Sequence, residues 1–141
     1  MVSKSVSETI AAGERLGRRL KKGDVVALIG DLGSGKTIFT KGIARGLGVK
    51  NARYVNSPTF VIIKEYNGDF PLYHFDLYRL DDPSMLDEMS YDEFFYGDGI
   101  TVIEWADKIR ALLPKRRIEV NLSVAGENRR KIKINSVKRK V

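Results

Sequence analysis

Residues 30–37 carry side chains whose types and spacing suit the binding of a phosphate chain. Their sequence, Gly-Asp-Leu-Gly-Ser-Gly-Lys-Thr, fits the pattern G-x-x-x-x-G-K-[ST] of phosphate-binding loops. Gly33 and Gly35 permit backbone angles that turn several N–H groups inward around an anion. Lys36 would place its charge on the β- and γ-phosphates, and the Thr37 hydroxyl would ligate Mg²⁺.

The segments on either side of this loop support the same interpretation. The apolar run at residues 25–29 predicts a buried parallel strand, and Phe39, Ile43 and Leu47 recur at helical spacing after the loop. Gly48 is placed to end that helix. The alternative is an ordinary Gly-rich turn between a strand and a helix. The predicted nucleotide contacts in this stretch are Asp31, Leu32, Gly33, Ser34, Gly35, Lys36, Thr37 and Ile38.

Asp76 is a candidate for the chemistry of the bound nucleotide. Alternation along residues 72–79 places Leu72, His74 and Asp76 on one face of a strand, where a carboxylate is costly to bury without a partner. A metal-bound nucleotide would supply that partner, with Asp76 ligating Mg²⁺ or orienting the attacking water. The alternative is an Asp that caps the next turn. His74 is interpreted as a hydrogen-bonded structural histidine.

Glu104 is the second candidate carboxylate. It follows the β-branched run at residues 100–103 and resembles the acid that ends a Walker-B strand. At the carboxyl end of a parallel strand it would face the same crevice as the phosphate loop, and the alternative is a surface acid. Trp105, the single tryptophan, would either line the nucleotide site or pack a following helix onto the sheet.

Thr59 lies in a third segment with a candidate role. Pro58 keeps Ser57 out of the helical region, which predicts an extended loop that enters a strand. In nucleotide switches a loop hydroxyl in such a place senses the γ-phosphate or the metal. The alternative is a turn chosen for its backbone preferences.

The remaining segments predict the elements that must position these residues. Ser5 and Glu8 form a capping box that opens a helix to about Lys22, with Val6, Ile10, Gly13, Gly17 and Leu20 on one face. Asn67-Gly68 predicts a hairpin, and residues 117–135 predict a second hairpin with a basic, solvated face. We therefore expect an α/β fold: a P-loop NTPase-like three-layer sandwich with a mixed, largely parallel central sheet and an antiparallel hairpin extension.

Composition bounds the class of protein. The 141 residues are 43% hydrophobic and 30% charged, contain no cysteine, and have the size of one domain, residues 1–141, that includes the basic end at 114–141. We find no membrane-spanning run and no signal peptide, and we expect a cytoplasmic protein that needs no membrane.

Charge is distributed unevenly along the chain. The net charge is +7, but residues 114–141 alone carry a balance of +8 and residues 80–107 hold nine acids and no base. The basic end suits either a phosphate backbone or a solvated strand face.

Four motifs together resemble the TsaE (YjeE) family of small bacterial P-loop ATPases. They are GDLGSGKT at 30–37, SPTF at 57–60, HFDLYR at 74–79 and VIEWAD at 102–107. The resemblance implies ATP and Mg²⁺ as cofactors and a role in making threonylcarbamoyladenosine beside the tRNA anticodon. It also implies that the protein does not transfer the group itself. The ATPase cycle would support repeated turnover of a TsaB–TsaD complex, through which tRNA would be met.

The resemblance also implies roles for single residues. Lys36 and Thr37 match the phosphate and Mg²⁺ contacts, and Glu104 matches the metal-associated acid. Asp76 matches the acid of the HxDxYR motif, which acts on the metal or the water. Thr59 matches the switch-like segment, and Trp105, which follows Glu104, matches the residue beside the nucleotide.

The residue types predict slow hydrolysis by the isolated chain, completed by a partner. One alternative is a small-molecule P-loop kinase, against which the acidic character of residues 80–107 argues. A second alternative is a nucleotide-gated assembly module, in which binding matters more than hydrolysis. A third is nucleic-acid binding through the basic end. The residues leave open the base preference, the oligomeric state, the role of the basic tail, and which of Asp76 and Glu104 ligates Mg²⁺ directly.

Overall fold

The elements of the chain follow the pattern of apolar runs and turn residues in the sequence. The computed structural model describes residues 1–52, 55 and 63–138, with the last two residues described in backbone only. In chain order the elements are β1 (Val2–Ser3), α1 (Val6–Arg19), β2 (Val25–Ile29), α2 (Lys36–Gly46), β3 (Ile63–Asn67), β4 (Pro71–Asp76), a 3₁₀-helix (Pro83–Met89), α3 (Tyr91–Phe95), β5 (Ile100–Glu104), a second 3₁₀-helix (Ala106–Leu112), β6 (Arg116–Gly126) and β7 (Arg129–Lys138).

The described strands form one sheet in the order β1-β7-β6-β2-β5-β4-β3. The four central strands β6, β2, β5 and β4 are parallel to one another, and antiparallel pairs extend the sheet at both edges. Unbroken apolar runs suit the middle of such a sheet because both faces are covered there. The predicted mixed sheet with a parallel centre is confirmed.

Two hydrophobic clusters lie on opposite faces of the sheet. Helices α1 and α2 cover one face, where Val26 and Leu28 of β2 point. The two 3₁₀-helices and α3 cover the other face, where Val25 and Ala27 point. The alternation predicted for β4 is also confirmed, since Leu72 belongs to the first cluster and Phe75 and Leu77 belong to the second. This gives the predicted three layers.

Helix α1 begins as predicted, and its buried face agrees with the predicted one only in part. The Ser5 hydroxyl caps it by accepting from the Glu8 N–H at 3.1 Å. The prediction that Val6 shares the buried face is wrong, because Val6 is 56% exposed and the buried residues are Thr9, Ala12, Gly13, Leu16 and Gly17. The helix also ends at Arg19 rather than at Lys22.

Helices α1 and α2 pack backbone to backbone through glycines. A Cβ built on Gly13 would meet the Phe39 carbonyl, and one built on Gly42 would meet the Ile10 carbonyl and lie 2.9 Å from the Gly13 Cα. Gly17 and Gly46 face each other in the same way. This close approach fixes α2, whose first turn carries the end of the phosphate loop. Gly48 then follows α2 with φ of 76°, as expected of a helix-ending glycine.

The β3–β4 hairpin is present, but its turn differs from the predicted one. Asn67 lies in β3 opposite Pro71, so the turn consists of Gly68, Asp69 and Phe70 rather than Asn67-Gly68. The Asp69 N–H donates to the Leu47 carbonyl at 2.7 Å. Contact with the end of α2 therefore shapes this turn, which a local sequence signal does not encode.

The predicted C-terminal hairpin is confirmed and joins the main sheet. β6 and β7 pair antiparallel, and β6 is parallel to β2. Leu122 and Ile132 point into the first cluster, while Lys131 and Lys133 are exposed. None of the helices within the described ranges is long and apolar enough to cross a membrane.

Candidate functional site

The phosphate loop connects β2 to α2 at the carboxyl edge of the parallel strands. Gly33 and Gly35 take φ values of 81° and 101°, which an L side chain rarely adopts. Gly35 is also the N-cap residue of α2, so the first backbone N–H groups and the positive end of the helix dipole lie at the loop. These features produce the local geometry of an anion-binding site.

Lys36 lies inside the loop rather than outside it. Its Nζ donates to the carbonyls of Gly30 at 2.5 Å and Asp31 at 2.9 Å and contacts the Ser34 hydroxyl at 3.4 Å. Burial lowers the pKa of Lys36 below its usual value, and the nearby carboxylates, chiefly that of Glu104, oppose this shift. The carbonyls of the phosphate loop thus bind the Lys36 ammonium group inside the loop.

Glu104 and Thr37 meet across the gap between the sheet and α2. The Thr37 Oγ1 donates to the Glu104 carboxylate, at 2.9 Å from Oε1 and 3.2 Å from Oε2. Glu104 is only 2% exposed, so the alternative of a surface acid is wrong. His74 Nε2 lies 2.5 Å from Glu104 Oε2 on the other side. Two residues predicted to share a metal site therefore touch, together with a histidine that was predicted to be structural.

Asp76 ends β4 at the level at which Glu104 ends β5. The two residues are register partners on adjacent parallel strands, so both carboxylates leave the sheet at the same edge. One Asp76 oxygen, Oδ1, accepts from the Tyr78 N–H at 3.0 Å and forms the turn-capping bond that we considered as the alternative. Asp76 also contributes to the negative field around Lys36.

Trp105 connects the Glu104 strand end to the phosphate loop. Its indole ring lies under the Lys36 Nζ, which is 3.9 Å from the ring centroid, and the Tyr78 ring packs beside it at 5.2 Å. Trp105 also packs against the second hydrophobic cluster, so it combines both arrangements considered from the sequence. Its φ of 61° is a strained conformation for a bulky residue, of the kind that concentrates at functional sites.

The other predicted contacts are distributed along the loop. Asp31 and Leu32 are exposed, Ser34 is buried, and Ile38 is half-buried in the first turn of α2. Thr59 lies outside the described residues. Across the described part of the chain, no group of at least three His, Cys, Asp or Glu side chains is arranged to hold a metal ion.

A pocket beside Gly35 was missed in the sequence. Helix α1 and strand β7 approach the loop there, since a Cβ on Gly35 would lie 3.8 Å from Thr9 Cγ2 and 3.9 Å from Arg130 Cγ. The residues lining the pocket include Ser5, Thr9, Ile38, Asn128 and Arg130. Apart from Ile38, which was predicted, these residues come from opposite ends of the chain, and no motif indicated them. Asp107 was also missed, although its carboxylate acts on Lys36 from the second 3₁₀-helix, which follows β5.

The chain is similar to known proteins of one family. The family model of the threonylcarbamoyl adenosine biosynthesis protein TsaE matches residues 3–132. The chain is 48% identical to the tRNA threonylcarbamoyladenosine biosynthesis protein TsaE of Bacillus subtilis over 131 residues, covering 92% of this chain and 80% of that protein. It is 36% identical to the TsaE of Aquifex aeolicus over 135 residues, covering 95% and 93%.

A solved structure has the same fold. The crystal structure of YdiB from Bacillus subtilis matches with a TM-score of 0.80 and 39% sequence identity, over 98% of this chain and 84% of that one. The family-model match spans most of the chain and includes three of the four motifs wholly within described residues. The chain therefore belongs to the TsaE family of threonylcarbamoyl adenosine biosynthesis proteins.

Proposed function

We propose that this chain binds Mg·ATP at the phosphate loop and hydrolyses it to support threonylcarbamoyladenosine modification of tRNA beside the anticodon. The observation that carries the proposal is the hydrogen bond between Thr37 and Glu104. It joins the first turn of the loop helix to the end of a neighbouring parallel strand. Phosphoryl transfer to water depends mainly on positioning and charge neutralisation, which this pair and Lys36 are arranged to provide.

The donor set fits Mg²⁺. The Thr37 hydroxyl and the Glu104 carboxylate supply hard oxygen ligands within 2.9 Å of each other, and Mg²⁺ commonly takes one or two protein oxygens plus nucleotide phosphates. Such an ion would neutralise charge on the phosphates. Asp76, at the same sheet edge, is the candidate to orient the attacking water.

Lys36 is arranged to exchange partners when a nucleotide enters. Its Nζ is held by neutral carbonyls of Gly30 and Asp31, for which phosphate oxygens are stronger, charge-assisted substitutes. Its desolvation, which lowers the pKa, would be offset by the anion. The Trp105 ring, 3.9 Å from the Lys36 Nζ, would line the site beside the exchanged lysine.

The pocket beside Gly35 suits the nucleoside end of the ligand. A nucleotide whose phosphates lie on the loop continues past the start of α2, where Ile38 and the Thr9 methyl group offer an apolar surface. Arg130 adds a cation at the same pocket, near where the phosphates would begin. We propose adenosine as the occupant on the basis of the family resemblance.

The partner complex is proposed on the same basis. The relatives that match are tRNA threonylcarbamoyladenosine biosynthesis proteins by name. A TsaB–TsaD-type complex would complete a site that hydrolyses slowly alone, as activating proteins do for GTPases. tRNA would be met through that complex.

The decisive experiment measures phosphate release from Mg·ATP by the chain alone and with the matching TsaB–TsaD pair. We expect a low rate alone that rises with the pair, and a fall of about 100-fold or more for Glu104→Gln, as when one preorganised electrostatic group is removed. Glu65→Gln, at an exposed acid of β3, is the control. A rate that the pair does not change would contradict the proposed partnership. If Glu104→Gln lost hydrolysis but kept tRNA modification, nucleotide binding alone would suffice.

A further inference from the structure

His74 is buried in the sheet directly beside Glu104. Its side chain is fully buried on β4, and its Nε2 lies 2.5 Å from Glu104 Oε2 on β5. In the parallel register His74 lies opposite Val102, and Glu104 lies opposite Asp76. The His74–Glu104 contact is therefore a diagonal one between two side chains on the same face of the sheet.

The contact defines the tautomer of the imidazole. An ionised carboxylate oxygen only accepts, so Nε2–H is the donor in this contact. Nδ1 is buried and has no hydrogen-bond partner within the part of the chain that the structure describes. The ring is thus oriented by its bond to Glu104. An apolar side chain would fill the same space without burying an unpaired nitrogen, so packing alone does not account for a histidine here.

The Glu104 carboxylate is held from two sides. Oε2 accepts from His74, and Oε1 accepts from Thr37 at 2.9 Å. Rotation of the carboxylate would break one bond or the other, which is costly for a side chain that is only 2% exposed. The oxygen facing Thr37 is consequently kept at the mouth of the phosphate loop.

We propose that His74 is a positioning residue, which orients the Glu104 carboxylate so that its free lone pairs and the Thr37 hydroxyl present one preformed oxygen site to Mg²⁺. The inference rests on the proposed function, because it assigns the metal to Thr37 and Glu104. Partners that orient a ligating group typically change metal affinity by about 10- to 100-fold when removed. His74 itself touches neither metal nor nucleotide in this assignment.

Two substitutions separate positioning from packing. His74→Gln keeps an N–H donor at the ε position, whereas His74→Met has a similar length and volume and no donor. The measured quantity is the dissociation constant of a non-hydrolysable ATP analogue, with Mg²⁺ and with EDTA. We expect His74→Met to lose about 10-fold or more of the Mg²⁺-dependent gain in affinity while its affinity in EDTA is unchanged, and His74→Gln to recover most of that gain.

Other outcomes overturn the inference in distinguishable ways. Equal behaviour of the Gln and Met variants, or equal losses with and without Mg²⁺, would mean that His74 only packs. No Mg²⁺-dependent gain in the wild-type protein would contradict the proposed metal site itself.

A measurement on the wild-type protein does not depend on any variant folding. His74 is the single histidine of the chain, so its ring nitrogens give one unambiguous pair of ¹⁵N resonances. The Nε2 resonance should report a proton, and it should shift when Mg²⁺ is added to the nucleotide complex but not when EDTA is added. An Nε2 resonance without a proton, or one indifferent to Mg²⁺, would contradict the positioning role.

Discussion

Lys36 links the charge of the phosphate loop to the stability of the fold. Burial lowers its pKa in the folded protein, while in the unfolded chain the pKa has its ordinary value of 10.5. Between these two values the unfolded state binds more protons, so the contribution of Lys36 to the free energy of unfolding rises with pH in that window. Below the lowered pKa, both states are charged and the folded protein carries the full cost of desolvation.

We therefore predict that Lys36→Met and the wild-type protein differ in stability by an amount that depends on pH. The stability of the Met variant relative to the wild type should be greatest near neutral pH and should fall as pH rises toward 10.5. Urea unfolding of both proteins across this range measures it, and the other titrating groups cancel in the difference. A constant difference would mean that burial does not shift the pKa of Lys36 in solution.

Single residues could be predicted from the sequence where the signal is local. The loop at residues 30–37 follows from a contiguous pattern, and the strand-end positions of Asp76 and Glu104 follow from the apolar runs before them. The contact between His74 and Glu104 could not be predicted, because it depends on the register of β4 against β5. The residues near Gly35 from α1 and β7 were missed because they are distant from the loop in the sequence and meet only in the complete fold.

At the level of elements, the position of the phosphate loop depends on how closely α2 packs on α1. Gly42→Ala would place a methyl group against the Ile10 carbonyl and 2.9 Å from the Gly13 Cα. Overpacking of this kind costs about 1–3 kcal/mol, which exceeds the gain of up to about 1 kcal/mol from replacing a helical Gly. We predict a net loss of about 1–2 kcal/mol in the free energy of unfolding. We also predict weaker nucleotide binding, because α2 carries Gly35 to Thr37.

Chemical denaturation and nucleotide titration of the same samples test this prediction. Ser7→Ala, at an exposed position of α1, should change stability by no more than about 0.5 kcal/mol and should leave binding unchanged. A Gly42→Ala variant as stable as the wild type would mean that the helices can separate without strain. The loop position would then depend on the sheet instead.

The packing of α2 against its neighbours also explains which elements could not be fully predicted from sequence patterns. Strands β2 and β5 were predicted correctly because continuous apolar runs have few other stable arrangements. The buried face of α1 was only partly predicted, because periodicity defines a stripe but not the point at which α2 crosses it. The turn after Asn67 departed from the two-residue form because the Asp69 N–H bonds to the end of α2.

For the whole molecule, the order of strands decides which residues become neighbours. β2 lies between β5 and β6, so the phosphate loop lies between the acid at the end of β5 and the C-terminal hairpin. The fold class could be predicted from the alternation of strands and helices. The position of β2 between β5 and β6 could not, because it depends on how all the strands pair in the complete sheet. It brings the first helix and the last hairpin to the same pocket at Gly35.

Because the site is assembled from both ends of the chain, nucleotide binding should stabilise the entire fold. A ligand that binds only the folded state at 100 times its dissociation constant adds about 2.7 kcal/mol, which for a domain of this size raises Tm by about 10 °C. We predict such a rise with Mg·ATP, a smaller rise with ATP in EDTA, and almost none for Lys36→Ala. Lys41→Ala, on the same helix, should respond like the wild type.

Differential scanning calorimetry measures each shift against the same protein without nucleotide, so a change in the intrinsic stability of a variant cancels. An equal rise for Lys36→Ala would place the ligand away from the phosphate loop, and a larger rise with GTP than with ATP would contradict the proposed adenosine.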